Sequence, residues 1–183
     1  MQGDGDALAG MMVLYQQGDM GAFERLYAEL AGQLRGYLRG LARDATRADD
    51  LLQETFLQIH RSRHTYLPGR PLKPWAYTIA RHVFLMSARS DRRRGRHETL
   101  ADEDLPELPI PAEVETLADR DRVRRAVAGL PVEGREAVLL HHVMGLSFRE
   151  IGAVVGISEG AARVRAHRAM IALREELGAQ EGR

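Results

Sequence analysis

Residues 147–177, SFREIGAVVGISEGAARVRAHRAMIALREEL, decide the fold of the C-terminal part of the chain. They read as two short helices joined at Gly156-Ile157-Ser158, a helix-turn-helix. Ser147 and Glu150 have the spacing of a capping box at the first helix, and Ser158 is placed to cap the second. That second helix carries Arg163, Arg165, His167 and Arg168. A helix presented this way fits the DNA major groove, where guanidinium groups hydrogen-bond guanine edges in pairs.

Outside this motif, composition narrows the class. The chain has 183 residues, of which 44% are hydrophobic, enough for one compact domain or two small ones. It contains no Cys, which excludes disulfides and cysteine zinc sites. No apolar run approaches the roughly 18 residues of a membrane span. Asp4 and Asp6 argue against a signal peptide, so the expected location is the cytoplasm, without membrane insertion.

The formal net charge of zero conceals a segmented distribution. Residues 61–97 carry 10 basic and 1 acidic side chains, whereas residues 98–119 carry 8 acidic and no basic ones. Such alternation points to one stretch that meets a polyanion and another that stays clear of it or competes for the same basic surface.

Asp19 is placed to cap a helix whose Phe23, Leu26, Tyr27, Leu30, Leu34, Leu38 and Leu41 follow helical spacing, which predicts a core stripe. Thr46 and Asp49 match a capping box for a second helix, with Leu51, Leu52, Phe56 and Ile59 on one side. Its other side shows Asp50, Gln53, Glu54 and Gln58. Three prolines and a glycine between Arg61 and Pro74 predict a loop. A third helix is expected from near Pro74 through Trp75, Ile79, Val83 and Phe84 into Arg89, Arg92 and Arg93.

The acidic segment with Pro106, Pro109 and Pro111 predicts an extended linker. Beyond it, Val123, Val127 and Leu130 mark one helix, and Val138, Leu139 and Val143 another. With no strand signal, the expected fold is all-α: two small helical domains, residues 1–96 and 114–183, joined by an acidic proline-containing linker at 97–113.

Four motifs in this order resemble the bacterial sigma factors of the extracytoplasmic-function (ECF) group, over nearly the whole chain from Asp19 to Leu177. They are GDMGAFERLY, ADDLLQETFLQIHR, PWAYTIARHVFLMSARSDRRR, and the helix-turn-helix preceded by LPVEGREAVLLHHVMGLS. The resemblance implies a subunit that binds the clamp of core RNA polymerase, directs it to particular promoters, helps to open the duplex and catalyses nothing itself. It also implies restraint by an anti-sigma factor, and no cofactor or metal.

Carried over position by position, the resemblance implies that Asp50, Gln53 and Glu54 contact core polymerase. An acidic and amide face suits charge-assisted bonds to an arginine-rich partner. Arg61, Arg63, His64 and Tyr66 of the loop, with Arg81, His82, Arg89, Arg92 and Arg93 of the third helix, are expected at the promoter-proximal element and the melting strand. Tyr66, with His64 nearby, is the candidate to line a pocket for a flipped base. Trp75 is assigned to packing, and the arginines of the helix to phosphates, which position rather than specify.

Ser158, Arg163, Val164, Arg165, His167 and Arg168 are expected at the upstream promoter element. The chain departs from the family at His82, where Asn is usual, at Ala161, where Thr is common, and at Val164, where Ser is common. The acidic linker is expected to thread near the RNA path, or to fold back on the basic block of the free protein.

Two other classes compete. A conventional helix-turn-helix regulator would bind a symmetrical operator without polymerase, but no heptad-bearing dimerisation helix supports it. An enzyme would draw on the seven histidines, yet there is no HExxH and no glycine-rich phosphate loop. Adjacent His141 and His142 are expected to point apart on a helix, with His141 packed beside the helix-turn-helix.

Overall fold

Two aspartates set where the first long helices begin. The computed structural model describes residues 3–42, 44–93 and 117–181. Helix α2 (Met20–Ala42) starts after Asp19, whose Oδ1 accepts the Ala22 amide at 3.0 Å. It buries Leu26, Leu30, Leu34, Leu38 and Leu41, the expected stripe. Tyr27 departs from that stripe. It is 45% exposed, its ring 4.5 Å from that of Phe56 at the edge of the core.

Helix α3 (Ala45–Ser62) is capped two residues earlier than expected. Asp44 accepts the Arg47 amide at 3.1 Å, so Asp44, and not a Thr46–Asp49 box, terminates the helix. Asp49 instead pairs with Arg35 of α2 at 2.9 Å. Helix α4 (Leu72–Arg93) begins two residues before Pro74, which lies in the first turn, where a missing N–H breaks no helical bond.

An unexpected helix, α1 (Gly3–Gln16), precedes these and buries Leu8, Met12 and Tyr15 against them. Helices α1, α3 and α4 all pack on α2.

The second group is α5 (Leu117–Gly129), α6 (Val132–Val138), α7 (Phe148–Val155) and α8 (Glu159–Glu181). After α6 the chain widens into a π-helical turn at Leu139–Val143, in which the Met144 amide bonds the Leu139 carbonyl at 3.0 Å. The Ser147–Glu150 capping box forms as expected, with bonds of 3.3 and 2.8 Å. Gly156 ends α7 in the left-handed region at φ +79°, and the turn is tight. A Cβ on Gly152 would stand 2.7 Å from the Ile157 carbonyl oxygen.

Helices α5, α6 and α7 pack on α8, and the two groups then meet, α7 against α4 and α6 against α2. Among the described residues there is no strand, and the fold is all-α. The acidic linker expected at 97–113 lies outside the described residues.

Candidate nucleic-acid and protein interface

Helix α3 turns its apolar side to α2 and its polar side to a groove shared with α4. Asp50, Glu54 and Gln58, spaced by four, line the groove with His82, Met86, Ser87 and Ser90; its volume is about 990 Å³. Asp50 is exposed, and Glu54 is half-buried, accepting the Gln58 side-chain amide at 2.7 Å. Gln53 is exposed on the neighbouring stripe, outside the groove lining. One end of the groove is closed by Arg47, whose Nη2 meets the Asp91 carboxylate and lies 3.4 Å from Ser87 Oγ. The structure thus sets His82 on the same groove as Asp50 and Glu54, a juxtaposition the linear motif does not reveal.

The loop after α3 is held from inside. Tyr66 is buried, not rim-exposed: its hydroxyl donates to the Arg70 carbonyl and its ring meets Trp75 edge-on at 5.7 Å. Burial pushes the Tyr66 phenol above its ordinary range, so it stays protonated as a donor. Trp75 packs as expected, its Nε1 3.4 Å from Thr65 Oγ1.

Arg61, His64, Leu67 and Arg70 are among the exposed positions here, and Arg63 is half-buried. Leu67 is 65% exposed at the loop tip, and composition gave no signal for it. Helix α1 braces the loop from behind. Gln16 Nε2 donates to the carbonyls of Arg63 and Tyr66 at 2.6 and 2.9 Å, and the Arg63 guanidinium lies over the Tyr15 ring.

Along α4, Arg89, Arg92 and Arg93 are exposed at the C-terminal end, where cations also suit the helix dipole. Arg81 is different. Its Nε lies 2.9 Å from Glu136 Oε1, and that oxygen also accepts the buried Tyr37 hydroxyl at 2.7 Å. Burial raises the Tyr37 phenol well above its ordinary value, and the Glu136 charge adds to this.

On the helix-turn-helix, Arg163, Val164, His167 and Arg168 are exposed and Arg165 is half-buried. Val164, Arg165 and Arg168 share an apolar-floored groove with Leu130, Pro131 and Ala169. Arg163 lies over the Phe148 ring at 5.5 Å and 3.3 Å from Glu159, which pre-sets its direction. Ser158 Oγ accepts the Ala161 amide at 3.1 Å, so its hydroxyl caps α8.

His141 does pack beside this motif, stacked on Phe148 at 4.1 Å with Nδ1 2.9 Å from the Leu146 carbonyl. The two histidine rings do not diverge, however. Their centroids are 4.7 Å apart, because the π-helical turn alters their spacing around the axis.

No group of three or more metal-ligating side chains occurs among the described residues, and no described helix is long and apolar enough to cross a membrane.

Comparison with known proteins identifies both helical groups by family. Residues 26–94 match the model of Sigma-70 region 2, and residues 120–173 that of Sigma-70 region 4. The chain is 40% identical over 170 residues to the RNA polymerase sigma factor CarQ of Myxococcus xanthus, covering 93% of this chain and 97% of that one. It is 35% identical over 159 residues to the ECF RNA polymerase sigma factor SigL of Mycobacterium tuberculosis, covering 84% and 89%.

Among solved structures, the sigma factor RpoE of Bartonella quintana in complex with the anti-sigma factor NepR superposes with a TM-score of 0.73 at 25% identity, covering 85% of this chain and 96% of that one. CnrH in complex with the cytosolic domain of CnrY gives 0.72 at 25% identity, covering 94% and 98%. The chain belongs to the ECF family of RNA polymerase sigma factors.

Proposed function

We propose that this sigma factor docks on the clamp of core RNA polymerase through the α3–α4 groove, with Asp50 and Glu54 supplying charge and Gln53 flanking them. The observation that carries this reading is the alignment of Asp50, Glu54 and Gln58 along one solvent-open wall. A carboxylate row of this kind suits guanidinium partners, which bind carboxylates through two parallel hydrogen bonds.

The loop residues Arg61, Arg63 and His64, around the buried Tyr66, with Arg81, His82, Arg89, Arg92 and Arg93 of α4, engage the promoter-proximal element and the opening strand. Helix α8 reads the upstream element through Arg163, Val164, Arg165, His167 and Arg168, behind the cap at Ser158. Residues 1–96 and 114–183 act as the two functional domains, with 97–113 as their linker. The protein works in the cytoplasm as a non-catalytic subunit and needs no cofactor. An anti-sigma factor restrains it, a reading supported by the complex in which RpoE of Bartonella quintana was solved.

The test is transcription in vitro with bacterial core polymerase and a genomic promoter library, followed by sequencing of the initiated RNAs. Starts downstream of one shared two-part motif are expected. Selective DNA binding without any initiation would replace this reading with that of a conventional regulator.

A further inference from the structure

The π-helical turn at Leu139–Val143 departs from regular helical bonding beside a helix-turn-helix, the kind of irregularity that recurs at functional sites. Its geometric result is the position of His141. The ring stacks on Phe148 at 4.1 Å, with 29° between the planes, and its Nδ1 lies 2.9 Å from the Leu146 carbonyl. That carbonyl can only accept, so Nδ1 carries a proton and the bond fixes the rotation of the ring.

The segment around Phe148 is tied on both sides. The Leu146 amide donates to the Leu140 carbonyl at 2.9 Å, and the capping box at Ser147 anchors the residue before Phe148. Phe148 itself is half-buried at the start of α7, with its backbone and its ring both held.

Arg163 of α8 uses that ring. Its guanidinium carbon lies 5.5 Å from the Phe148 centroid, while Nη2 stands 3.3 Å from Glu159. The carboxylate is a weak guide, because the two side chains are 65% and 51% exposed and such water-facing i,i+4 pairs contribute little. The aromatic face is the firmer support. A guanidinium has five N–H donors, and Glu159 engages one of them, which leaves enough for a paired contact to a guanine edge. The neighbouring Ala161 and Val164 carry no hydroxyl, so polar reading along this part of α8 falls to Arg163, Arg165, His167 and Arg168.

We propose that the π-helical turn serves DNA recognition: His141 backs Phe148, and Phe148 is a specificity-determining platform that aims Arg163 at one base pair of the upstream element. Phe148 and His141 are positioning residues, acting on DNA only through Arg163. A side chain already held in place loses less freedom on binding, and it has fewer alternative poses with which to accept a wrong base pair. The inference rests on the proposed function in taking α8 as the reading helix.

The test uses the full-length protein assembled with bacterial core polymerase. Templates derived from one promoter of the genomic library carry each of the four base pairs at every position of its upstream element, and single-round transcription gives the discrimination at each position. Arg163→Ala should flatten one position. Phe148→Leu should lower discrimination at that same position by roughly three- to tenfold, the factor for ordering one long side chain on binding. The other positions and the salt dependence should not change, since no phosphate contact is lost. Phe148→Tyr, which keeps the ring, should retain the discrimination, and His141→Ala should lose part of it.

If Phe148→Leu loses helical circular dichroism, the half-buried His141→Ala carries the test. Unaltered discrimination at the Arg163 position, or a uniform loss across all positions, would overturn the platform and leave the proposed function standing. Arg163→Ala without effect at any position would overturn the reading role of Arg163 in the proposed function, and the platform with it.

Discussion

The side-chain amide of Gln16 bridges the carbonyls of Arg63 and Tyr66, at 2.6 and 2.9 Å, and so ties the end of α1 to the loop assigned to the opening strand. One NH2 group meets both carbonyls, adding a second donor to the Arg63 carbonyl, which already accepts the Tyr66 amide at 3.2 Å. With Tyr66 buried beneath, this bridge keeps the tip residues Leu67 and Arg70 projecting outward.

Gln16→Ala should therefore cost about 1–2 kcal/mol of stability, the range for losing bonds to part-buried carbonyls. It should reduce promoter opening, read by permanganate footprinting, more than it reduces binding to duplex promoter. Equal losses in both would assign Gln16 to general stability instead.

The turn of the helix-turn-helix offers a paired comparison. Gly156 has a positive φ of 79° and open space around a Cβ, so Gly156→Ala should cost roughly 1 kcal/mol through backbone strain alone. Gly152→Ala places a methyl against the Ile157 carbonyl and the Glu159 amide, at 2.7 and 3.3 Å, and forces the turn apart. Urea unfolding should show the larger loss for Gly152→Ala, and upstream-element binding should fall with it. Similar stabilities for the two variants would contradict the close approach.

What the sequence made legible followed strong periodicity and strong caps. The leucine stripe of α2, the Asp19 cap and the Ser147–Glu150 box all rest on local rules that neighbours do not override. Helix α1 escaped because GDGDALAGMMVLYQ has apolar residues on every side, and only packing on α2 selects Leu8, Met12 and Tyr15 as its buried face.

Asp44 escaped because Thr46 and Asp49 offer the same spacing, and the Arg35 partner that draws Asp49 away is distant in sequence. Tyr66 and Glu136 show the same limit for the site. Composition marks an aromatic in a basic loop and an acid on a short helix; burial against Trp75 and against Tyr37 and Arg81 is a tertiary fact.

The stability should carry a histidine signature. His142 has its pKa lowered from 6.5 by desolvation first, then by His141 and Arg174. Its folded pKa thus lies below the unfolded one, so above about pH 6.5 both forms are neutral and no penalty applies. As pH falls below that value the unfolded chain takes up the proton first, and stability declines until the folded pKa is passed. Urea midpoints at pH 7 and pH 5.5 should differ less in His142→Gln than in the parent protein. An unaltered difference would place the pH dependence elsewhere.

If the α3–α4 groove holds polymerase while α8 reads DNA, the two functions separate by mutation, and retention of core RNA polymerase by immobilised variants measures this directly. Asp50→Arg with Glu54→Arg should abolish retention, whereas Arg163→Ala with Arg168→Ala should retain core polymerase as the parent protein does while losing promoter-specific initiation. Full retention of core polymerase by the charge-reversed α3 variant would rule out the α3–α4 groove as the polymerase-binding surface.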